Sequence, residues 1–317
     1  MKKTIAVVGC GHWGKNLVRN FSELGALYCV CDPEDTLSEY FAVKYQTKAM
    51  SFDQILSDPQ VEGVILAVPA KLHAEMAIRA MRSKKNVFVE KPIAMNQSEA
   101  ALMIEASIDE NVHLMVGHLL QYHPIFLQLK SLIKMGHLGE LTYLYSNRLS
   151  FGQVRAEEDV IWSFAPHDIS MILSLAEQEP DTVEARTSNV LQENIADIGT
   201  IHMTFSSGLK AHISVSWIHP VKEQKLVVIG GDAMAVFDDT QPWDKKLAIY
   251  RHGIDRVTNP PTLRKADAEY VVIDSCEPLK QECCYFLELI ADRARPVTDG
   301  QEGLRVLNVL TRASLRT

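Results

Sequence analysis

The segment Thr4-Ile5-Ala6-Val7-Val8-Gly9-Cys10-Gly11-His12-Trp13-Gly14 decides the fold of this chain. Thr4 to Val8 form an apolar run typical of a strand, and the residues after Gly14 have the spacing of an amphipathic helix. Between the two, Gly9 permits a tight turn, Gly11 lets the backbone approach a pyrophosphate, and Gly14 lets the helix pack closely on the strand. N–H groups at the helix N-terminus then attract phosphates. The segment therefore predicts a dinucleotide-binding site.

An acidic residue, Asp32, closes the next apolar run, Leu27 to Cys31. A carboxylate at the end of this second strand can accept hydrogen bonds from both hydroxyls of an adenosine ribose. The same carboxylate would repel a 2′-phosphate, and no Arg or Lys lies between Asp32 and Tyr40 to bind one. NAD is therefore the expected cofactor, in preference to NADP.

The composition limits the class of protein and its partners. With 317 residues and 47% hydrophobic content, the chain can bury a large core and form two domains. A net charge of −8 argues against nucleic acid as a partner. The six cysteines lack zinc-ligand spacing, so no metal is expected. Neither a membrane span nor a signal peptide is predicted, which makes the cytoplasm the expected location.

Up to about residue 119, short β-rich runs alternate with helical patterns, which is typical of a parallel sheet with helices on both faces. The strand candidates are Ile5 to Val8, Leu27 to Cys31, Val64 to Val68, Val87 to Val89 and His113 to Val116. The predicted fold class is α/β, with residues 1–119 as an N-terminal Rossmann dinucleotide-binding domain.

The pattern changes beyond Tyr122, where extended runs joined by tight turns replace the alternation. Leu209 to Trp217 alternates apolar and polar residues, which predicts a strand with one covered face. Further strands are predicted at Leu141 to Leu149, Ile198 to Phe205, Lys225 to Ile229, Ala233 to Phe237 and Leu247 to Tyr250. Residues 120–317 are therefore expected to form an α+β domain for substrate binding and oligomerisation, with a large, mostly antiparallel open sheet.

Several further motifs stand at the predicted strand ends and beyond them: Pro69 with His73, Glu90-Lys91-Pro92, Gly117 through Tyr122-His123-Pro124, Gly139-Glu140 and His167-Asp168. With the glycine-rich turn, they make the chain resemble the family of glucose-fructose oxidoreductase and inositol dehydrogenase, the Gfo/Idh/MocA oxidoreductases. The resemblance spans nearly the whole chain, and Glu90-Lys91-Pro92 is its most specific motif.

The resemblance implies that Lys91 lies between nicotinamide and substrate, and that the peptide before Pro92 is cis. A lysine at the carboxyl end of a strand would also face the cofactor crevice on general grounds, although such a lysine standing alone is more often a surface residue. The cofactor contacts implied by the motifs are Gly9, Gly11, His12, Trp13, Gly14, Asp32, Pro69, His73, Glu90 and Lys91.

Lys91 and His167 are the expected catalytic residues. His167 would remove the proton from a secondary sugar hydroxyl while hydride leaves the same carbon for the nicotinamide, and Lys91 would donate a hydrogen bond to the resulting oxygen. Family members usually carry an Asp four residues before this His, where the chain has Ser163. A hydroxyl cannot supply the missing charge, so Asp168 or another carboxylate is expected to do so.

The residues around His167 are similar to those of a subgroup that oxidises the 3-hydroxyl of UDP-N-acetylglucosamine or its uronic acid. Arginine suits a diphosphate because its planar fork makes paired charge-assisted hydrogen bonds. The expected substrate-binding residues are Lys91, Tyr122, Arg148, Arg155, Trp162, Ser163, His167 and Asp168. Surface ion pairs remain the alternative for both arginines, with Glu157, Glu158 and Asp159 next to Arg155.

Two other functions stay open at this point. The chain could oxidise a free cyclitol or hexose, as inositol dehydrogenases do. It could also bind NAD as a sensor without turnover, since fold does not fix function. The resemblance further implies a homodimer or homotetramer paired through the outer face of the open sheet, although the polar residues Lys210, His212, Ser214 and Ser216 argue against it.

Overall fold

The computed structural model describes residues 2–156, 158–255, 257, 259–292 and 297–314. The chain divides into two compact units, the first of residues 1–122 and 277–308 and the second of residues 123–276 and 309–317. Within the described ranges, every helix is too short or too polar to cross a lipid bilayer.

The strands and helices follow one another along the chain in the order that the sequence patterns indicate. The strands are β1 Ile5–Val8, β2 Leu27–Cys31, β3 Lys48–Ala49, β4 Gly63–Leu66, β5 Asn86–Val89, β6 Leu114–Val116, β7 Leu141–Phe151, β8 Thr182–Ser188, β9 Ile198–Thr204, β10 Lys210–Ser216, β11 Ile218–Gly230, β12 Met234–Asp238, β13 Leu247–Tyr250, β14 Gly253–Asp255, β15 Thr262–Arg264 and β16 Ala268–Tyr270. The helices are α1 Gly14–Glu23, α2 Asp35–Lys44, α3 Phe52–Ser57, α4 His73–Arg82, α5 Gln97–Asp109, α6 Pro124–Lys134, α7 Val160–Ala176, α8 Pro278–Asp292 and α9 Gly300–Ser314.

The first unit is built on a six-stranded sheet in the order β3-β2-β1-β4-β5-β6. All neighbouring strands in it are parallel, so their carboxyl ends meet at one edge. The strand order reverses next to β1, which is the place where ligands bind in open parallel sheets. This arrangement confirms the predicted Rossmann fold and directs attention to the turns after β1, β4 and β5.

The second unit is built on an eight-stranded sheet in the order β16-β13-β12-β11-β7-β10-β9-β8. All of its neighbouring strands are antiparallel except β7 and β10, which run parallel. The predicted alternation in β10 is present, because Ala211, Ile213 and Val215 are buried against a helix-covered face. The predicted large, mostly antiparallel sheet is therefore correct.

The expected single break near residue 119 differs from this division of the chain. Residues 277–308 join the first unit, and Phe286 of α8 is fully buried in the core of that unit. The ring of Phe286 lies 5.8 Å from that of Phe88 in β5, measured between centroids. The late helix was assigned to the second domain because sequence position alone does not reveal which core its apolar stripe completes.

Candidate active site

The glycine-rich turn links β1 to α1 at the carboxyl edge of the parallel sheet. A Cβ on Gly14 would lie 1.8 Å from the carbonyl oxygen of Gly9. A Cβ on Gly9 itself, where φ is +92°, would lie 2.4 Å from the carbonyl oxygen of Ala67. Packing therefore requires glycine at both positions. Gly11 differs, because a Cβ there would meet no heavy atom within 4 Å, and this open space fits a pyrophosphate that approaches the backbone.

Asp32 follows β2 and is hydrogen-bonded to the turn. Its Oδ2 accepts from the backbone N–H of Cys10 at 2.7 Å, and its Oδ1 accepts from that of Glu34 at 3.0 Å. The carboxylate is half-buried, so a ribose hydroxyl could still reach it. Helix α1 has no side-chain cap and no acidic residue in its first turn, which leaves its positive end for an anion. His12 and Trp13 are exposed beside this end.

Glu90 connects the turn to the predicted catalytic lysine. It follows β5, and its carboxylate accepts hydrogen bonds from the Trp13 indole N–H and, at 3.2 Å, from the backbone N–H of Lys91. The Lys91–Pro92 peptide is cis, as the family resemblance implies. The Lys91 side chain is half-buried. One carboxylate thus ties the cofactor turn to the backbone of Lys91.

His73 joins two loops at the same edge of the sheet. It is 1% exposed, and its ring nitrogens lie 2.8 Å from the carbonyl oxygen of Pro92 and 2.9 Å from that of Val68. Burial lowers the pKa of His73, and the two carbonyls oppose this shift. The structure gives His73 a positioning role between the loop at Pro69 and the loop at Pro92, in place of the expected cofactor contact, because so little of its surface is accessible.

Helix α7 of the second unit carries His167. Asp159 caps the helix by accepting from the backbone N–H of Trp162 at 3.0 Å. Pro166 lies inside the helix, so one helical hydrogen bond is missing immediately before His167. His167 is half-buried, and Ser163, one turn earlier on the same face, is buried.

Asp168 is held by two residues of β7. Arg148 donates to both of its carboxylate oxygens, at 2.6 Å from Nε and 3.2 Å from a terminal nitrogen, and Ser146 Oγ donates at 2.6 Å. Asp168 is 1% exposed, so this is a buried ion pair that anchors α7 to the sheet. Asp168 therefore serves β7 and does not replace the acid missing at Ser163. Arg148 likewise has a structural partner instead of the expected diphosphate.

The other predicted substrate contacts fall in different surroundings. Tyr122 is 4% exposed, and its hydroxyl lies 2.8 Å from that of Thr298, which gives it a packing role in the first unit instead of a substrate contact. Trp162 is half-buried, and its indole N–H donates to Ser314 at 2.8 Å. Arg155 is exposed, with Glu158 3.9 Å away, so its charge is still available to a ligand. Glu157 lies outside the described residues.

Sequence reasoning missed Ser146 as part of this network. Its signal is the two-residue period of β7, which places Leu144, Ser146 and Arg148 on one face of the strand. A hydroxyl and a guanidinium side by side on an otherwise apolar face indicate a buried acidic partner on the element that covers them. The identity of that partner, Asp168, needs the packing of α7.

A parallel sheet with this turn, a carboxylate after β2 and a lysine after β5 define a dinucleotide-dependent oxidoreductase. Residues 3–118 match the model of an oxidoreductase family described as an NAD-binding Rossmann fold, GFO_IDH_MocA. Residues 126–236 match the GFO/IDH/MocA C-terminal domain. The chain therefore belongs to the Gfo/Idh/MocA oxidoreductases, which confirms the resemblance and the prediction of NAD as cofactor.

Known relatives narrow the chemistry to sugars. The chain is 27% identical to UDP-N-acetylglucosamine 3-dehydrogenase of Acidithiobacillus ferrooxidans over 95% of this chain and 93% of that protein. A solved structure of that enzyme covers 98% of this chain and 96% of its own, with a TM-score of 0.86 and 25% identity. The chain is 31% identical to 2,7-anhydro-N-acetylneuraminate hydratase of Escherichia coli over 77% of this chain and 69% of that protein.

Proposed function

We propose that the chain oxidises a secondary hydroxyl of a sugar with NAD, and that its substrate is a UDP-N-acetylated sugar oxidised at its 3-hydroxyl. The observation that carries the cofactor half is the contrast within the turn, where Gly9 and Gly14 are filled by the protein and Gly11 is open. The substrate half rests on the relative from Acidithiobacillus ferrooxidans, which aligns along almost the whole chain.

The residues of the turn fit the cofactor. The open space at Gly11 admits the pyrophosphate, and Asp32 offers the ribose a carboxylate that the Cys10 N–H already orients. Trp13 and Glu90 would bound the nicotinamide side. NAD, when bound, supplies the hydride acceptor.

The chain contributes proton transfer and charge stabilisation. Lys91 is proposed to donate a hydrogen bond to the hydroxyl oxygen as it becomes a ketone, and Glu90 fixes its backbone for this. His167 is proposed to accept the hydroxyl proton, since imidazole titrates near neutral pH. The ion pair between Arg148 and Asp168 fixes the helix turn on which His167 stands.

A second candidate substrate is an N-acetylated sugar without a nucleotide. Two observations favour it: the identity to the Escherichia coli hydratase, and the bonding of Arg148 to Asp168, which removes one of two arginines expected to bind a diphosphate. Arg155 is then the remaining candidate for phosphate recognition.

The test is turnover with a defined set of substrates. Purified protein with NAD is given UDP-N-acetylglucosamine, its uronic acid, 2,7-anhydro-N-acetylneuraminate, myo-inositol or glucose, and NADH absorbance and product mass are followed. 2-Oxoglutarate with an aminotransferase removes the ketone and pulls an unfavourable equilibrium. NADH formed from a UDP-sugar alone supports the proposal. Conversion of the anhydro sugar supports the second candidate, turnover of free polyols indicates the inositol branch, and NAD binding without turnover indicates a sensor.

We also propose that the open face of the second sheet pairs with another copy of the chain. One register row across this face contains Tyr145, Val227 and Val236, while the β9–β10 end of the row holds His202 and His212. The apolar part is half-buried in the single chain and would gain from a cover. Light scattering should show a dimer or tetramer that Val227→Glu dissociates and Val43→Glu, on exposed α2, does not. A monomeric wild type would contradict this.

A further inference from the structure

Glu282, in α8 of the first unit, is a buried acid that the proposed reaction does not use. It is 1% exposed, and neither of its carboxyl oxygens has a hydrogen-bond partner among the described residues. Burying a carboxyl group without a partner is costly, and far more costly when the group is ionised. An apolar side chain would fill this place at lower cost, so the acid calls for a functional explanation.

Glu90 is the acid whose charge reaches Glu282. Burial, and in addition the charge of Glu90, raise the pKa of Glu282 well above its ordinary value. Glu90 is also buried at its carboxyl group, which raises its pKa, but Trp13, the charge of Lys91 and the Lys91 N–H oppose this shift. Donors therefore stabilise the ionised form of Glu90 and not that of Glu282. Of the two, Glu282 holds the proton.

The surrounding groups offer Glu282 no competing positive charge. Helix α8 packs against α1 and the short helix Leu119–Tyr122. The titratable groups on these and neighbouring elements are Lys91, Tyr122, Cys283, Tyr285, and His118 with its ion-pair partner Glu302, 2.5 Å away. Lys91 acts on Glu90, and burial raises the pKa of Tyr122 and Cys283, which keeps both of these neutral.

We propose that Glu282 carries a proton in the folded chain and is a positioning residue for Glu90, so that a single negative charge holds the Trp13 side chain and the Lys91 backbone. Loss of that proton places a second negative charge near Glu90 in a dry environment. Repulsion then draws Glu90 away from its two donors, and the cofactor turn loses its tie to β5. The effect on NAD binding rests on the proposed function, whereas the protonation of Glu282 does not.

The protonation is tested without cofactor by infrared spectroscopy. The difference spectrum between wild type and Glu282→Gln at neutral pH should contain the carbonyl stretch of a protonated carboxylic acid. Glu288→Gln is the matched control, because Glu288 lies on the same helix and is exposed. A carboxylate band in place of the protonated band would overturn the proposal.

The positioning role is tested by NADH affinity as a function of pH, read by quenching of tryptophan fluorescence. Wild type and Glu288→Gln should lose at least tenfold in affinity as pH rises through the titration of Glu282, and Glu282→Gln should not. Glu282→Met, of similar volume, serves if the amide variant does not fold. An alkaline loss that persists in either Glu282 variant would overturn the positioning role. Wild type that shows the protonated band but binds no NADH at any pH would instead refute the proposed cofactor.

Discussion

The cofactor turn of the first unit and the β7–α7 pair of the second unit position their functional groups by different means. In the turn, main-chain atoms set the geometry: glycines stand where no Cβ fits, and Asp32 accepts from backbone N–H groups. In β7–α7, side chains set it: Ser146 and Arg148 both bond to Asp168, one residue from His167. The first arrangement is encoded within a few consecutive residues, whereas the second depends on residues about twenty positions apart.

The largest expected effect follows replacement of the two proposed catalytic residues, one from each unit. His167→Ala and Lys91→Ala should each lower kcat by about 10²–10⁴-fold, because each removes a proton acceptor or donor at the reacting oxygen. Steady-state kinetics with the substrate found in the panel measures this, and NADH binding by His167→Ala should be unchanged. His137→Ala, at an exposed position, is the control. Unchanged kcat in both variants would refute the mechanism.

The next effect would break the side-chain arrangement. Asp168→Asn leaves the Arg148 charge without its partner at a nearly buried site, and we expect a loss of about 3 kcal/mol in the free energy of unfolding. Urea denaturation followed by circular dichroism measures it. Glu158→Gln removes one member of a long, exposed ion pair and should change stability by less than about 0.5 kcal/mol. Equal losses in the two variants would show that the Asp168 pair is not special.

A matched pair of glycine substitutions sharpens the description of the turn. Gly14→Ala forces a Cβ against the Gly9 carbonyl and should cost about 1–3 kcal/mol of stability. Gly11→Ala meets only open space and should keep wild-type stability, while its NADH affinity falls about tenfold or more because the new methyl lies where the pyrophosphate approaches. Denaturation and isothermal titration separate the two effects. Tight NADH binding by Gly11→Ala would place the pyrophosphate elsewhere.

The pH dependence of stability gives a smaller effect that also arises in the first unit. The pKa of Glu282 is raised in the folded chain from an ordinary value of 4.5, so its stabilising contribution is complete below that pH and is lost as pH rises toward the folded pKa. Relative to Glu282→Gln, wild type should lose roughly 1.4 kcal/mol per pH unit in this window. Denaturation of both proteins at several pH values measures the slope, and parallel curves would contradict it.

The smallest expected effect concerns cofactor choice. Asp32→Asn keeps an oxygen that can accept from the Cys10 N–H but removes the charge that repels a 2′-phosphate. The ratio of the NADPH and NADH dissociation constants should fall about tenfold, equivalent to roughly 1.4 kcal/mol. Fluorescence titration with both cofactors measures the ratio. A ratio that does not change would mean that Asp32 does not face the 2′ position.

The same contrast explains what the sequence could and could not predict. The strands of the first sheet were predicted within a few residues, because each is a short apolar run followed by a turn. Strand β8 was missed, since its exposed Thr182, Glu184 and Arg186 give it no apolar face of the usual strength. The bonds of Arg148 with Asp168 and the core position of Tyr122 were also missed, because both depend on which elements pack together.

The return of residues 277–308 to the first unit has a consequence for biosynthesis. Phe286 and Leu289 of α8 complete the core around Phe88, yet they leave the ribosome after more than half of the remaining chain has been made. Residues 1–122 therefore emerge early but wait with an uncovered apolar surface while residues 123–276 are translated, a period in which chaperones or aggregation compete for that surface. The unit whose synthesis starts first is the one that finishes folding last.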